Sequence, residues 1–163
     1  MYKKYFHFAT LAAAVLLSQA APAQDVAPMQ SQSAAMAASA PRDPALKPVF
    51  DQFGGKSGLV TLMNDFMDNL MADARTHSYF ADTDREHIKA ELVDQFCVIL
   101  DGPCTYTGKD MVKVHRTMGV NRAAFNALVE DLQAAMDKNN VPFRAQNKLL
   151  AKLAPMHSAV ITK

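Results

Sequence analysis

The spacing of apolar residues constrains the fold of this chain more than any other feature. From Pro48 onward these residues recur three, four and seven positions apart, as Leu59, Leu62 and Phe66 do. Such spacing places them on one stripe of an amphipathic helix, whereas a half-buried strand would need alternation, which no segment sustains. We therefore predict an all-α domain of about six helices, several of them short.

Turn-forming residues divide this pattern into separate helices. Thr83 is expected to cap the third helix, with Glu86 three residues later completing a capping box. The last helix is expected to run through Leu149 to Ile161. The predicted breaks are, in chain order, Gly54-Gly55, residues 76–82, Asp101-Gly102-Pro103, Gly119 and Asn139-Asn140.

The first residues have the order of an export signal. Lys3 and Lys4 give a positive start, residues 9–18 are largely apolar, and Ala21-Pro22-Ala23 offers small residues for cleavage before Gln24. A buried N-terminal helix is the alternative interpretation. We expect residues 1–23 to be a signal peptide and the mature protein to be exported, either periplasmic or secreted.

Residues 24–47 separate this signal from the helical region. They are rich in Ala, Pro, Ser and Gln, and no helical or strand period persists in them. Such a composition is typical of a flexible linker. The folded domain is therefore expected to cover residues 48–163, which is close to the common size of a single domain.

Charge and hydropathy argue against two classes of partner. The formal net charge is +1, and it becomes −1 once Lys3 and Lys4 leave with the signal. A chain so close to neutral has no broad basic field for nucleic acid. No apolar run reaches the ~20 residues that a membrane-spanning helix needs, so we expect no transmembrane span in the mature protein.

Several motifs after Phe50 occur in the order and spacing of one known family. They are Phe53-Gly54-Gly55, Asn64-Asp65-Phe66, Tyr79-Phe80-Ala81-Asp82-Thr83, Gly102-Pro103, Tyr106-Thr107-Gly108-Lys109-Asp110-Met111, His115, Phe125 and Leu153-Ala154-Pro155-Met156. Through them residues 50–163 resemble the group I truncated globins, short helical haem proteins of bacteria, protists and plants. The resemblance implies a 2-on-2 helical sandwich around haem b, which is iron protoporphyrin IX.

The resemblance also implies roles for individual residues. His115 corresponds to the proximal histidine that ligates the iron, and Phe80 to the phenylalanine that packs flat against the haem. The further contacts implied on the proximal side and inner wall are Tyr106, Met111, Val120, Phe125 and Leu128. Tyr106 is also placed within reach of a haem propionate.

His115 can meet the physical demand that a haem iron makes. The iron needs a neutral imidazole whose lone pair faces a dry cavity. The other ring nitrogen should donate to an acceptor, often a backbone carbonyl one turn earlier. A helical histidine taken alone is more often a surface or satisfied core residue, and apolar stripes usually form ordinary core. The surrounding motifs therefore carry this interpretation.

The distal face departs from the pattern of the family. Many group I members have a Tyr on the second helix and a Gln on the third, and these donate hydrogen bonds to bound dioxygen. Here the corresponding positions are Met67, Ile88 and Leu92, and Phe96 continues the stripe of the third helix. We therefore predict an apolar distal pocket, weak retention of dioxygen and a relative preference for CO and NO.

His87 leaves the coordination of the iron open. It lies one residue, about 100° around the helix, from Ile88. One interpretation places it at the haem edge near a propionate or solvent, and another makes it a plain surface histidine. Ligation of the iron from the distal side would require the helix to rotate. Glu91 and Gln95 are expected at the solvent or haem edge of the same helix.

Two cysteines flank the turn that ends the third helix. Cys97 and Cys104 lack the Cys-x-x-Cys-His spacing of covalently bound c-type haem, and they are too few for a zinc site. In an exported protein such a pair suggests a disulfide, which would tie the third helix to the segment leading to His115. Two buried, inert thiols are the alternative.

Three functions remain open from the sequence. The first is reversible binding of diatomic gases (O2, NO or CO) by a monomer with five-coordinate haem iron on His115. The second is a haem enzyme with NO dioxygenase or peroxidase-like activity, which would need an unidentified reductase or a distal acid–base group. The third is a haem-free helical binding module of the cell envelope. The apolar distal residues favour gas binding, but they leave open whether the chain is an enzyme.

Overall fold

The structure of the protein, a computed structural model, describes residues 38–163. The predicted signal peptide and most of the predicted linker lie outside the described residues. The α-helices are, in chain order, α1 (Lys47–Gln52), α2 (Gly55–Ala72), α3 (Arg85–Ile99), α4 (Met111–His115), α5 (Arg122–Lys138), α6 (Phe143–Leu153) and α7 (His157–Val160). Short 3₁₀ helices lie at Pro44–Leu46, His77–Tyr79 and Ala154–Met156. No residue of this range lies in a strand, so the all-α prediction is confirmed.

Helix α2 is the centre of the domain. It packs against both α3 and α5, and α6 in turn contacts α3 and α5. The pair α2 and α3 therefore packs against the pair α5 and α6, which is a 2-on-2 arrangement. The apolar stripe predicted for α2 is buried throughout, at Leu59, Leu62, Met63, Phe66, Met67 and Leu70. Within residues 38–163, no helix has the length and apolar character needed to cross a membrane.

The start of α3 differs from the sequence prediction. Asp84, and not Thr83, caps this helix, because its carboxylate accepts a hydrogen bond from the backbone N–H of His87 at 3.0 Å. The hydroxyl of Thr83 instead donates to the carbonyl of Phe80 at 2.8 Å. Both residue types are good N-caps. The preceding turn decides between them, since it already uses the Thr83 hydroxyl.

The last predicted helix is interrupted. Helix α6 ends at Leu153, and a 3₁₀ turn that contains Pro155 separates it from α7. Proline has no N–H to donate and clashes with the preceding turn in a helix interior. Asn121 caps α5, because its side chain accepts from the backbone N–H of Ala124 at 2.9 Å.

The packed region begins earlier than the boundary predicted at Pro48. Ser39, Ala40 and Leu46 are buried, although they fall in the range expected to be a flexible linker. Small residues can fill a tight place on a domain without producing an amphipathic period, so composition does not reveal such contacts. Arg42 fixes the same segment with three hydrogen bonds from its guanidinium, to the carboxylate of Asp101 (2.8 Å) and the carbonyls of Gly102 (3.1 Å) and Cys104 (3.0 Å).

The turn after α3 brings Cys97 and Cys104 to disulfide distance, with Cα atoms 5.9 Å apart. Native disulfides commonly have this Cα separation. Gly102 is required inside this turn, because a Cβ would lie 2.6 Å from the Cys97 sulfur and 2.7 Å from the Phe50 ring. The turn is therefore packed tightly between α3 and the ring of Phe50.

The C-terminal residues hold the segment that follows α4. The N–H of Val120 donates to the Thr162 hydroxyl at 3.1 Å. Its carbonyl accepts from the N–H groups of Thr162 at 2.9 Å and Lys163 at 3.1 Å. Helix α7 also packs against α4. The short helix α4 is thus supported from the end of the chain.

The burial of α2 gives a direct test of the core. Leu62 is 1% exposed and Val60, on the same helix, is 45% exposed. Leu62→Ala should lower the free energy of unfolding by about 2–5 kcal/mol, because it opens a cavity in close-packed surroundings. Val60→Ala should change it by no more than roughly 0.5 kcal/mol. Urea unfolding of both variants measures the difference, and equal effects would contradict this placement of α2.

Candidate functional site

His115 is the last residue of α4, and its ring is fixed by one hydrogen bond. Its Nδ1 lies 2.8 Å from the carbonyl oxygen of Met111, one turn earlier. A carbonyl oxygen can only accept, so Nδ1 carries the proton and Nε2 keeps its lone pair. The acceptor predicted one turn back is confirmed. Burial lowers the pKa of His115 below its usual 6.5, and the bond to Met111 only partly opposes this shift.

Local capping explains why so short a helix forms here. Asp110, which is buried, caps α4 because its carboxylate accepts from the backbone N–H of Lys113 at 2.9 Å. The hydrogen bonds of this carboxylate to Lys113 lower the pKa of Asp110 and keep it ionised as an N-cap. After His115 the chain turns, and Gly119 adopts φ +65°, a conformation that glycine tolerates without strain.

The predicted contact residues form two classes by burial. Met67, Phe96 and Val120 are buried. Large apolar side chains in the second class pack against the core yet keep part of their surface accessible, at Phe80, Ile88, Leu92, Tyr106, Met111 and Leu128. Phe125 is likewise half-buried. These half-buried residues come from α3, α4, α5 and the loops beside them, and each keeps some apolar surface accessible.

The structure brings helices α3 and α4 into direct contact at one point. The amide Nε2 of Gln95, on α3, lies 3.7 Å from the Met111 sulfur on α4. The same nitrogen lies 3.9 Å from the sulfur of Met156. The side chain of the first residue of α4 therefore contacts α3 one turn before that helix ends.

Comparison with known proteins decides the family. A family model described as bacterial-like globin matches residues 48–162. Curated relatives that match are named Group 1 truncated hemoglobin. This chain belongs to the group I truncated globin family.

Two relatives show how far this similarity extends. The Group 1 truncated hemoglobin GlbN of Mycolicibacterium paratuberculosis is 27% identical over 114 residues, which are 70% of this chain and 84% of the relative. The Group 1 truncated hemoglobin of Tetrahymena thermophila is 31% identical over 93 residues, 57% of this chain and 77% of the relative. Each alignment covers more than two thirds of the relative and leaves part of this chain unmatched.

Solved structures confirm the fold. The truncated hemoglobin of Tetrahymena pyriformis in the Fe(III) form has a TM-score of 0.67 and 24% identity, over 71% of this chain and 98% of the other. The 2/2 hemoglobin of Synechococcus, in the cyanomet state and with covalently attached heme, has a TM-score of 0.65 and 19% identity over the same shares. The predicted 2-on-2 helical sandwich is therefore confirmed.

Membership of the globin family implies a haem cofactor, and the residues present fit one. The lone pair on Nε2 of His115 is the donor that a haem iron takes from a proximal histidine. The lowered pKa keeps this imidazole neutral near pH 7. Half-buried apolar side chains such as Phe80, Leu92 and Leu128 can bury further area against a flat, apolar macrocycle.

The polar residues of α3 lie away from its apolar stripe, except at its C-terminal end. His87 has a side chain 68% exposed, and its Nε2 lies 4.0 Å from the Glu91 carboxylate. Glu91 is half-buried and lies so close to Gly108 that a Cβ there would collide with its carboxylate. Gln95, by contrast, is 3% exposed, so it does not lie at a solvent edge, which was one of the two places predicted for it.

Tyr106 makes a contact that the sequence does not predict. Its hydroxyl donates to the carbonyl of Lys109 at 2.7 Å. Burial, followed by the nearby charges of Glu91 and Asp110, raises the pKa of Tyr106 to about 12. The phenol therefore stays protonated and remains a hydrogen-bond donor at any physiological pH.

Sequence reasoning missed two features of this site. The hydroxyl of Ser39 accepts from the N–H of Met111 at 3.0 Å, a contact across a sequence separation of 72 for which the sequence gives no signal. His157 is half-buried and meets the Phe125 ring edge-on, with centroids 5.0 Å apart, a contact that the sequence analysis does not predict.

The environment of His115 gives a pH prediction for the haem-free truncated globin. Its imidazole should titrate below 6.5, because burial opposes the charged form. The unfolded chain then binds a proton that the folded chain rejects, so stability should fall as the pH drops below 6.5. The loss levels off once the pH is below the folded-state value.

Nitrogen-15 NMR of the imidazole rings in the haem-free protein measures this titration and the tautomer together. His115→Gln identifies the signal by its disappearance, and it should also remove this part of the acid dependence of stability. A His115 signal that titrates above 6.5, or one with the proton on Nε2, would contradict the geometry described here.

Proposed function

We propose that this truncated globin binds haem b through His115 and reversibly binds diatomic gases at the opposite face of the iron. The observation that carries this proposal is the hydrogen bond from His115 Nδ1 to the Met111 carbonyl. It leaves Nε2 as a fixed, neutral donor that would hold the haem iron. The haem, when bound, would supply the iron that coordinates O2, NO or CO.

An apolar distal face supports gas binding over enzyme chemistry. Met67 is 4% exposed on α2, and Ile88 and Leu92 are half-buried on α3. None of these side chains can donate a hydrogen bond or move a proton. Gln95 has the donor type that such a face lacks, but its amide is already bound to the carbonyl of Ser39 at 2.6 Å.

Absorption spectra of the purified chain test the proximal part of this proposal. The wild type should show a Soret band in its ferric, ferrous and CO-bound forms, with a five-coordinate ferrous spectrum. His115→Ala should lose the normal proximal signature, because it removes the donor nitrogen. His77→Ala is the matched control, since His77 is exposed in the turn after α2, and it should behave like the wild type.

Two outcomes would reject this assignment. One is a folded wild-type chain that takes up no haem when haem is supplied. The other is a His115→Ala variant that keeps the wild-type spectrum. A low-spin six-coordinate spectrum that disappears in His87→Ala would instead show ligation from α3.

The distal part of the proposal concerns the rate of dioxygen release. Leu92→Gln adds a donor on α3, and a hydrogen bond to bound dioxygen is worth about 1.5–3 kcal/mol. This variant should release dioxygen roughly 10- to 150-fold more slowly than the wild type. Leu92→Met is the matched control, since it has similar length and no donor. Stopped-flow replacement of O2 by CO measures the rates, and slow release from the wild type would contradict an apolar pocket.

We also propose that the mature protein is exported and that Cys97 and Cys104 form a disulfide. Export places the pair in an oxidising compartment, and their Cα separation of 5.9 Å suits the bond. The bond would close a short loop between α3 and the segment leading to His115. The chain-entropy model gives about 2.5 kcal/mol for a loop of this length.

Reductant gives a matched test of this pair. The free energy of unfolding of the export-matured protein should fall by about 2.5 kcal/mol when a reductant is added. Cys104→Ser should show no such shift, since it has no disulfide to lose. Two titratable thiols in the protein before reduction would refute the bond.

A further inference from the structure

Ser39 bonds to both helices that would enclose the haem. The backbone carbonyl of Ser39 accepts from Gln95 Nε2, on α3, at 2.6 Å. Its hydroxyl accepts from the backbone N–H of Met111, the first residue of α4, at 3.0 Å. Ser39 is 3% exposed, so both bonds are formed away from water. One buried residue thus connects the apolar distal helix to the helix of the proximal histidine.

The backbone of Met111 links Ser39 to His115. Its N–H donates to Ser39, while its carbonyl accepts from His115 Nδ1 at 2.8 Å. The N–H groups of the first helical turn have no partner within the helix, so the Ser39 hydroxyl also caps α4. A shift of Ser39 would move the acceptor that orients the imidazole.

Two ion pairs, and two hydrogen bonds from Arg42 to backbone carbonyls, keep the Ser39 segment in place. Arg42 bonds to the Asp101 carboxylate at 2.8 Å and also to the carbonyls of the turn after α3. Asp43 pairs with Lys152, at the end of α6, at 2.7 Å. Ser39 therefore does not depend for its position on its bonds to Gln95 and Met111 alone, and it can act as a fixed reference for both helices.

We propose that Ser39 is a positioning residue that holds α3 and α4 at a set separation and thereby controls how long the chain retains haem. We call Ser39, Gln95 and Met111 the cleft staple. This inference rests on the proposed function, since it places the haem between α3 and α4. It assigns a haem-related role to a residue outside the region that the family model matches, which begins at residue 48.

Haem release from the full chain tests the staple. Ser39→Ala removes the acceptor for the Met111 N–H, and haem transfer to an excess of an apo-haem protein should become about five- to tenfold faster, which corresponds to ~1–1.4 kcal/mol. The iron–histidine stretching band of the ferrous protein should also shift, because the imidazole acceptor moves. A general loss of stability would leave that band unchanged.

Two further variants accompany this measurement: one is a control, and the other tests the same contact from α3. Ser57→Ala is the control, because the Ser57 hydroxyl bonds to the Gly54 carbonyl on the exposed side of α2. It should leave haem release and the iron–histidine band unchanged. Gln95→Met removes the donor to the Ser39 carbonyl from the other helix, and it should speed haem release in the same direction as Ser39→Ala.

Hydrogen exchange of the haem-free chain gives a second readout. Ser39→Ala should speed exchange of the amides in residues 111–115, because the first of them loses its acceptor. Unchanged exchange there, or faster exchange without faster haem release, would overturn the inference while the proposed function stands. A wild-type chain that takes up no haem would overturn the proposed function itself, so the two failures are distinguishable.

Discussion

The hydrogen bond between His115 Nδ1 and the Met111 carbonyl is the interaction on which the rest of the site depends. It selects the tautomer, sets the plane of the ring and leaves one nitrogen with a lone pair. Burial then keeps the ring neutral, since the charged form would lose hydration. The Asp110 cap and the bonds at Val120 matter because they hold this one short helix in shape.

The distribution of polar groups on α3 follows from the same constraint. A slot for a flat apolar group must have few unpaired donors, because a buried polar group without a partner destabilises the fold. His87 meets this demand by lying at the surface, and Gln95 meets it by bonding to Ser39. Between these two residues, α3 carries the apolar side chains of Ile88 and Leu92. The apolar face is thus a consequence of where the polar side chains find partners.

Periodicity and family motifs predicted the helices and the placement of His115 with its acceptor, because both depend on residues within one or two turns of each other. The capping residue of α3 was missed, since Thr83 and Asp84 compete and only the preceding turn decides. The burial of Ser39 and of Gln95 was missed for a different reason. Each satisfies the other across 56 residues, and neither contact leaves a periodic trace in the sequence.

The short helix α4 draws its support from opposite ends of the domain, and this sets the order in which the site can be completed. Ser39 precedes Met111 by 72 residues, and Thr162 follows Val120 by 42. Contacts this distant cost more loop-closure entropy than contacts within α4 itself. The support of the imidazole is therefore complete only once both distant contacts have formed.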